Sequence, residues 1–374
     1  MALTRIQPPA LADVREPNFR NLVINGDMAV SQRGTSFASN GYTLDRFTMD
    51  ESTDGAVTVT QDTDVPAGSG FASSLKVDCT TADGTIAAAQ YCGFTQNIEG
   101  QNMQYLKYGT SSAESLTLSF WVKSVKTGIY CVRFVKEAGG ETRYECPIEY
   151  TISSASTWEK KTIILTPTAG STTFIQNSAG AIVNSNASGF RVFFALAVGS
   201  NFQATNNTWV AGSDKLGTSS QVNFLDSTSN NFWITGIQLE SGSVATDFEV
   251  DTFAQNLERC RRYALVLGDA PGGAAYDTFF KGVIGHYYNA TDFYPNFNFP
   301  IVMRSVPGTT FSTDSSGFGT VYSNGSGRAN TSNGTNATYE TNINFRVSTA
   351  SATAGDGGAF DFAASNYVIL SAEL

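Results

Sequence analysis

Between residues 19 and 250, short runs rich in Phe, Val, Ile, Thr and Tyr alternate with clusters of Gly, Ser, Asn and Asp. Runs of this length, bounded by turn-forming residues, read as β-strands. The clearest are 21–25 (NLVIN), 56–61 (AVTVTQ), 116–124 (LTLSFWVKS), 130–135 (YCVRFV), 160–165 (KKTIIL), 190–198 (FRVFFALAV) and 232–239 (FWITGIQL). In 116–124, Leu116, Leu118, Phe120 and Val122 fall on one face at period two, with Thr117, Ser119, Trp121 and Lys123 on the other. No helical pattern separates these strands. Parallel strands need crossover helices, so the pattern predicts two packed antiparallel sheets, most simply a jelly-roll β-sandwich.

The one clear helical pattern spans 251–263 (DTFAQNLERCRRY). Asp251 or Thr252 can cap its start, and Phe253, Leu257 and Cys260 make one apolar face at i, i+4 and i+7. These three residues are therefore expected to pack between domains. Arg259, Arg261 and Arg262 suit the negative end of the helix dipole and local ion pairs. Residues 264–374 return to β-patterning, with candidate strands at 279–286, 292–299, 308–312, 342–347 and 367–374. The stretch 314–339 is dominated by Ser, Gly, Asn and Thr, so it reads either as long surface loops or as weakly hydrophobic strands that need a partner chain. Residues 1–18 carry Pro8, Pro9 and Pro17 and sustain neither periodicity. They read as an extended arm whose apolar residues Leu3, Ile6, Leu11 and Val14 anchor it elsewhere. The expected organisation is thus an arm (1–18), a jelly roll (19–250), a connecting helix (251–263) and a smaller antiparallel β-domain (264–374).

Composition removes several function classes. Lys+Arg number 23 against 33 Asp+Glu, a formal charge of −10, which disfavours nucleic acid and anionic membrane as partners. No apolar run is long enough for a spanning helix, so no membrane insertion is expected. The single histidine, His286, leaves no basis for a histidine metal cluster. The five cysteines are scattered without a paired spacing and read as buried thiols. No carboxylate pair is singled out by spacing and no phosphate loop has its lysine, so no enzyme and no cofactor are expected. Asp27, Asp45 and Glu240 flank strand ends and suit either a structural calcium or turn capping. Trp121, on an otherwise polar sheet face, suits either a sugar-stacking platform or an edge cover. In the uncharged 314–339 stretch, Tyr322 and Tyr339 are candidate ligand anchors beside inert loops as the alternative.

Several stretches resemble bacteriophage tail-fibre and virion attachment proteins. Residues 21–34 (NLVINGDMAVSQRG) and 42–47 (YTLDRF) are similar to that family's opening N-x-x-x-N-G-D-M-x-x-x-Q-R-G … Y-x-x-D-R-W. Residues 118–124 (LSFWVKS) and 157–161 (TWEKK) resemble its middle strands. Residues 237–248 (IQLESGSVATDF) resemble its closing Q-L-E-x-G-x-x-A-T-x-F, followed by 258–263 (ERCRRY), 299–307 (FPIVMRSVP) and 371–374 (SAEL). Phe47 stands where Trp is usual, and Arg261 where Gln is common. The resemblance implies a virion tail protein with a carbohydrate-binding-type jelly roll, usually a homotrimer. Its partners would be other tail proteins, through the arm, and a bacterial surface glycan or outer-membrane receptor. A glycan-degrading tail enzyme and a capsid- or connector-bound structural protein are the alternatives. A trimer would also shelter 264–374, whose hydrophobic runs look thin for a lone domain, with that region distal and host-facing. Adjacent ends of the jelly roll would set 21–27 beside 232–240 and bury Leu22, Ile24, Ile234 and Ile237 together.

Overall fold

The structure is a computed structural model and describes residues 20–38, 40–137, 143–212, 214–269, 282–313 and 317–374. The arm residues Leu3, Ile6, Leu11 and Val14 lie outside the described residues. The chain is mainly β. Its first part is a jelly-roll β-sandwich whose strands, numbered in chain order, make two antiparallel sheets. The six-stranded sheet runs β1 (Ser36–Ala38), β4 (Ala56–Asp62), β5 (Ser74–Thr81), β13 (Asn231–Ser241), β7 (Leu116–Ser124) and β10 (Glu159–Leu165). The seven-stranded sheet runs β12 (Val210–Ala211), β9 (Tyr144–Ile152), β8 (Gly128–Lys136), β11 (Ser188–Val198), β6 (Tyr91–Glu99), β3 (Thr48–Ser52) and β2 (Gly41–Tyr42).

The core between the sheets follows the period-two pattern. Leu116, Leu118, Phe120 and Val122 are all fully buried. Phe120 meets Phe194 edge-on at 5.4 Å, and Phe194 stacks on Phe94 at 5.0 Å. The opposite face of β7 is less exposed than alternation implies, with Thr117, Ser119 and Lys123 also buried. The cause is chain laid across that face. Thr235 Oγ1 donates to Ser73 O, Gln238 Nε2 to Asp247 O, and Thr117 Oγ1 to Gly242 O. All five cysteines are buried, free thiols.

Residues 21–27 correct one expectation. They run beside β13 without forming a strand, held by Leu22 N–H to Leu239 O and Ile237 N–H to Gly26 O, both 2.9 Å. The β13 register slips between Thr235 and Gln238, and this bulge receives the segment. A Cβ on Gly26 would stand 2.1 Å from Ile237 O, so only glycine permits the approach. The four apolar residues also divide. Leu22, Ile234 and Ile237 join the sandwich core, whereas Ile24 joins Val30, Leu257, Cys260 and Tyr263 in a separate cluster.

Helix α1 (Phe253–Arg261) starts at a capping box, in which Thr252 and Gln255 satisfy each other's backbone N–H groups. Leu257 and Cys260 are buried, but Phe253 is 44% exposed and outside their cluster. It occupies the first helical position, one turn short of Ile24 and Val30, so the predicted stripe is shorter than its sequence. Asn256, not singled out in the sequence, is buried on the same helix and donates to Asp27 Oδ1 at 2.9 Å.

The second β-unit has two parts. β14 (Ala264–Gly268), β22 (Tyr367–Ser371) and β17 (Gly308–Phe311) make a three-stranded sheet. A closed barrel follows the order β15 (Gly282–Tyr287), β16 (Asp292–Asn298), β20 (Asn342–Thr349), β19 (Ser326–Thr338), β18 (Gly319–Ser323), β21 (Gly357–Phe362). Its core holds Phe293, Phe318, Phe345 and Phe360, all fully buried. The expectation of a thin core is therefore corrected: closure lets few aromatics fill a small interior and removes the sheet edges. Most of 314–339 is strand, paired within this chain. Asn324 (φ 46°) and Gly325 (φ 72°) form a tight left-handed turn joining β18 to β19. The polar β19 is held by its ladder and by side chains, such as Asn330 Oδ1 accepting from Gly319 N–H at 3.0 Å. Among the described residues no helix is long and apolar enough to cross a membrane.

Candidate functional site

Residues from four of the resembling stretches, 21–34, 42–47, 258–263 and 371–374, meet at the junction of the sandwich and the second unit. Asn25 bonds Val30 through both its amide atoms and donates to Asp45 O, which shapes the 25–30 loop. Arg33 pairs with Asp45 (3.4 Å) and with Glu373 (3.1 Å). Arg46 pairs with Glu373, donates to Asn97 O at 2.7 Å, and lies 3.5 Å from the Tyr263 ring centroid. Arg262 clasps both oxygens of Glu99 at 2.8 and 2.9 Å, and Tyr263 donates its hydroxyl to the same carboxylate. Gln32 Nε2 donates to Asp45 and to Ala264 O. Burial pushes the Asp45 carboxyl up against the pull of Arg33. Glu99 is also raised by burial, but Arg262 and Tyr263 outweigh this and hold it below the usual range. These side chains bond and ion-pair across the junction, so the motif works as an inter-unit clamp.

Beside the clamp lies an open groove of about 410 Å³ on the outer face of the seven-stranded sheet. Strand pleating builds its floor. Thr48 pairs across the ladder with Thr95, and Asn97 with Arg191, so these side chains share the outward face while Met49 and Phe94 point into the core. Tyr42, Asn40, Asp50, Glu51 and Leu374 also line it. Tyr42 donates its hydroxyl to Leu374 O at 2.9 Å, and Asn97 Nδ2 donates to the same oxygen at 2.8 Å. Arg191 pairs with Glu137 at 2.9 Å. Asp50 Oδ1 accepts from the Tyr91 hydroxyl at 3.0 Å. Burial and that carboxylate push Tyr91 up to about 12, so it remains a donor. Such a surface offers one planar ring, a threonine hydroxyl, amides and a carboxylate to a polyhydroxylated ligand. Farther along the same face, Glu145 is fully buried and held by Arg133 at 2.7 Å, by Arg143 and by the Asp214 N–H.

The residues expected to bind ligand are not brought together. Trp121 is half-buried on the outer face of the six-stranded sheet, between Lys160 and Thr235 and close to Phe71 at Gly236. Trp233 and Trp158 share that side, but Lys123 Nζ lies 4.2 Å and 5.4 Å from their centroids. Their indole N–H groups donate to Asp62 and Asp64. The chain's own lysine thus fills the space a sugar ring would need over them. Tyr322 and Tyr339 are 52% and 56% exposed and lie near opposite ends of β19. Asp27, Asp45 and Glu240 belong to separate hydrogen-bond sets, completed by Asn256, by Arg33 with Gln32, and by Thr246 with Gln238. No cluster of three metal-ligating side chains occurs among the described residues. The groove residues Asp50, Asn97 and Arg191, and Tyr91 that holds Asp50, were not singled out in the sequence. Their signal was the alternation Tyr91, Gly93, Thr95, Asn97, the outward face of a strand.

No protein-family model matches the chain, and a search of curated proteins finds none similar to it. Among solved structures it is similar to the enzymatically active domain of tailspike protein 4 from bacteriophage CBA120. The identity is 16% and the TM-score 0.31, over 60% of this chain and 22% of the tailspike domain's chain. It is also similar to the family 11 carbohydrate-binding module of a Clostridium thermocellum cellulosomal cellulase, at 12% identity and TM-score 0.28, over 57% of this chain and 98% of the module. A xylan-binding domain from Paenibacillus barcinonensis gives 11% identity and TM-score 0.28, over 60% of this chain and 96% of the domain.

Proposed function

We propose that the protein is a structural component of a bacteriophage tail fibre that contributes to host attachment by binding a bacterial surface glycan, without enzymatic activity. The observation that carries this reading is the open groove, where Tyr42, Thr48, Asp50 and Asn97 face solvent on a rigid sheet. The Tyr42 ring and short polar side chains on a pre-formed surface suit the faces and hydroxyls of sugars, which bind with little reorganisation. The ordered motif resemblance supports the virion setting and the trimer, and the Pro-interrupted segment 1–18 with its apolar residues supports an anchoring role. Closure of the barrel removes its own edges and leaves β14 and β17 as edge strands of the second unit, so the trimer rests chiefly on the resemblance.

The test fills the groove floor. Thr48→Trp is expected to weaken glycan binding on an array by about tenfold or more and to lower particle adsorption, with thermal stability unchanged. Full binding by this variant would exclude the groove. Incubation with host polysaccharide is expected to leave its chain length intact, and shortening would turn the reading to an enzyme. Mass measurement in solution is expected to give three chains per particle of protein, and a stable monomer at micromolar concentration would remove the trimer.

A further inference from the structure

The groove's charges are unequally matched. Its cation, Arg191, is paired with Glu137 at 2.9 Å, which leaves little positive potential facing a ligand. Arg33 sits behind Tyr42, 5.1 Å from its ring centroid, but is paired with Asp45 and Glu373. Arg46 is buried beneath Tyr263 and paired with Glu373. Glu51, at the rim, accepts from its neighbour Thr53. Asp50 differs from the paired groups, and it shares the outward face with Thr48, whereas Glu51 has the parity of the inward Met49 and turns back on Thr53. Asp50 lines the groove half-exposed, and no ion pair engages it among the described residues. Tyr91 pins Oδ1, while Oδ2 accepts no hydrogen bond there. A carboxylate fixed by one oxygen, with the other open, accepts from a hydroxyl donor and repels a second anion.

We infer that Asp50 is the specificity residue of the groove, selecting sugars that present hydroxyls and rejecting those that carry a carboxylate or phosphate at the same place. The ligand class is an uncharged polysaccharide segment. This inference rests on the glycan-binding reading of the groove. Repulsion here is the discriminating element, because the neutral contacts alone would hold both kinds of sugar. Low salt sharpens the discrimination and high salt weakens it, since the groove is open to solvent.

The experiment uses the full chain and matched glycans. A glycan array carrying neutral, uronate-bearing and phosphorylated oligosaccharides supplies the strongest neutral ligand. Calorimetry then compares that ligand with its analogue in which a primary alcohol is oxidised to a carboxylate. The expected result is at least about tenfold weaker binding of the acidic analogue, a difference of roughly 1.4 kcal/mol. Asp50→Asn keeps the shape and the acceptor for Tyr91, and it should narrow the gap to within about threefold. For the unaltered protein, rising salt should narrow the gap as well, a readout that depends on no variant. Equal or tighter binding of acidic glycans overturns the inference and leaves the glycan groove standing. A gap that persists in Asp50→Asn at unchanged thermal stability overturns the role of Asp50. Failure to bind any glycan, neutral or acidic, overturns the groove reading and the inference with it.

Discussion

Arg46 adopts φ 75°, a backbone conformation that disfavours any side chain, and it is buried. Glu373, Asn97 O and the Tyr263 ring hold it there. Replacing it with alanine leaves buried partners unmatched, and Arg46→Ala is expected to destabilise by about 3 kcal/mol in urea unfolding. A loss below about 0.5 kcal/mol, the scale of an ordinary surface change, would show that the clamp contributes nothing. Glu145 gives a pH signature. Burial raises its pKa, but Arg133, the Lys215 N–H and Arg143 together hold it below the usual glutamate range. A depressed folded pKa adds stability that is present above the unfolded value, about 4.3, and is lost as pH falls through the folded value. The stability gap between the natural protein and Glu145→Gln should therefore be widest near neutrality and close below about pH 4. A gap independent of pH would show that the carboxylate's charge is not what matters. Neither residue announces this role in the sequence. Arg46 and Glu373 lie 327 positions apart, and their pairing is set by the fold.

At the scale of elements, the helix and the sandwich strands were legible because their periodicities are strong. Thr252, Leu257 and Cys260 took the places the pattern implied, and Leu257→Ala should cost about 2–5 kcal/mol now that its burial is known. An effect below about 0.5 kcal/mol would mean that the Ile24 cluster does not need it. The polar hairpin of β18 and β19 was half-read, since 314–339 has almost no apolar alternation. Its hidden signal was Asn324-Gly325, which supplies two left-handed residues in succession. Gly325→Ala should lower stability by roughly 1 kcal/mol, because only glycine takes that conformation without cost. An unchanged melting temperature would show that the turn is not a constraint on barrel closure. Residues 21–25 misled in the opposite sense. Leu22, Val23 and Ile24 look like strand, but Gly26 and the bulge of β13 fix them as a packed, unladdered segment.

On the scale of the molecule, the sandwich and the second unit share hydrogen bonds, ion pairs and a packed cluster, so they should unfold together. Calorimetry is expected to show one transition for the natural protein and two for Arg46→Ala. Two transitions in the natural protein would mean that the clamp does not couple them. Deleting residues 1–15 is expected to leave a soluble, folded protein that no longer enters particles, and normal incorporation would remove the anchoring proposal. The groove was illegible at this scale, since Tyr42, Asp50, Asn97 and Arg191 come from four strands that only the sheet order gathers. The separation of Arg46 from Glu373 also sets a clock. At about 5–20 residues per second, a ribosome needs tens of seconds to travel from one to the other. In the last part of that interval, once β13 has emerged, a nascent sandwich holds Arg46 without the carboxylate that matches it, and Arg33 with Asp45 alone. A chaperone that shields this surface should therefore raise the yield of stalled chains ending before residue 373 more than that of chains that include it.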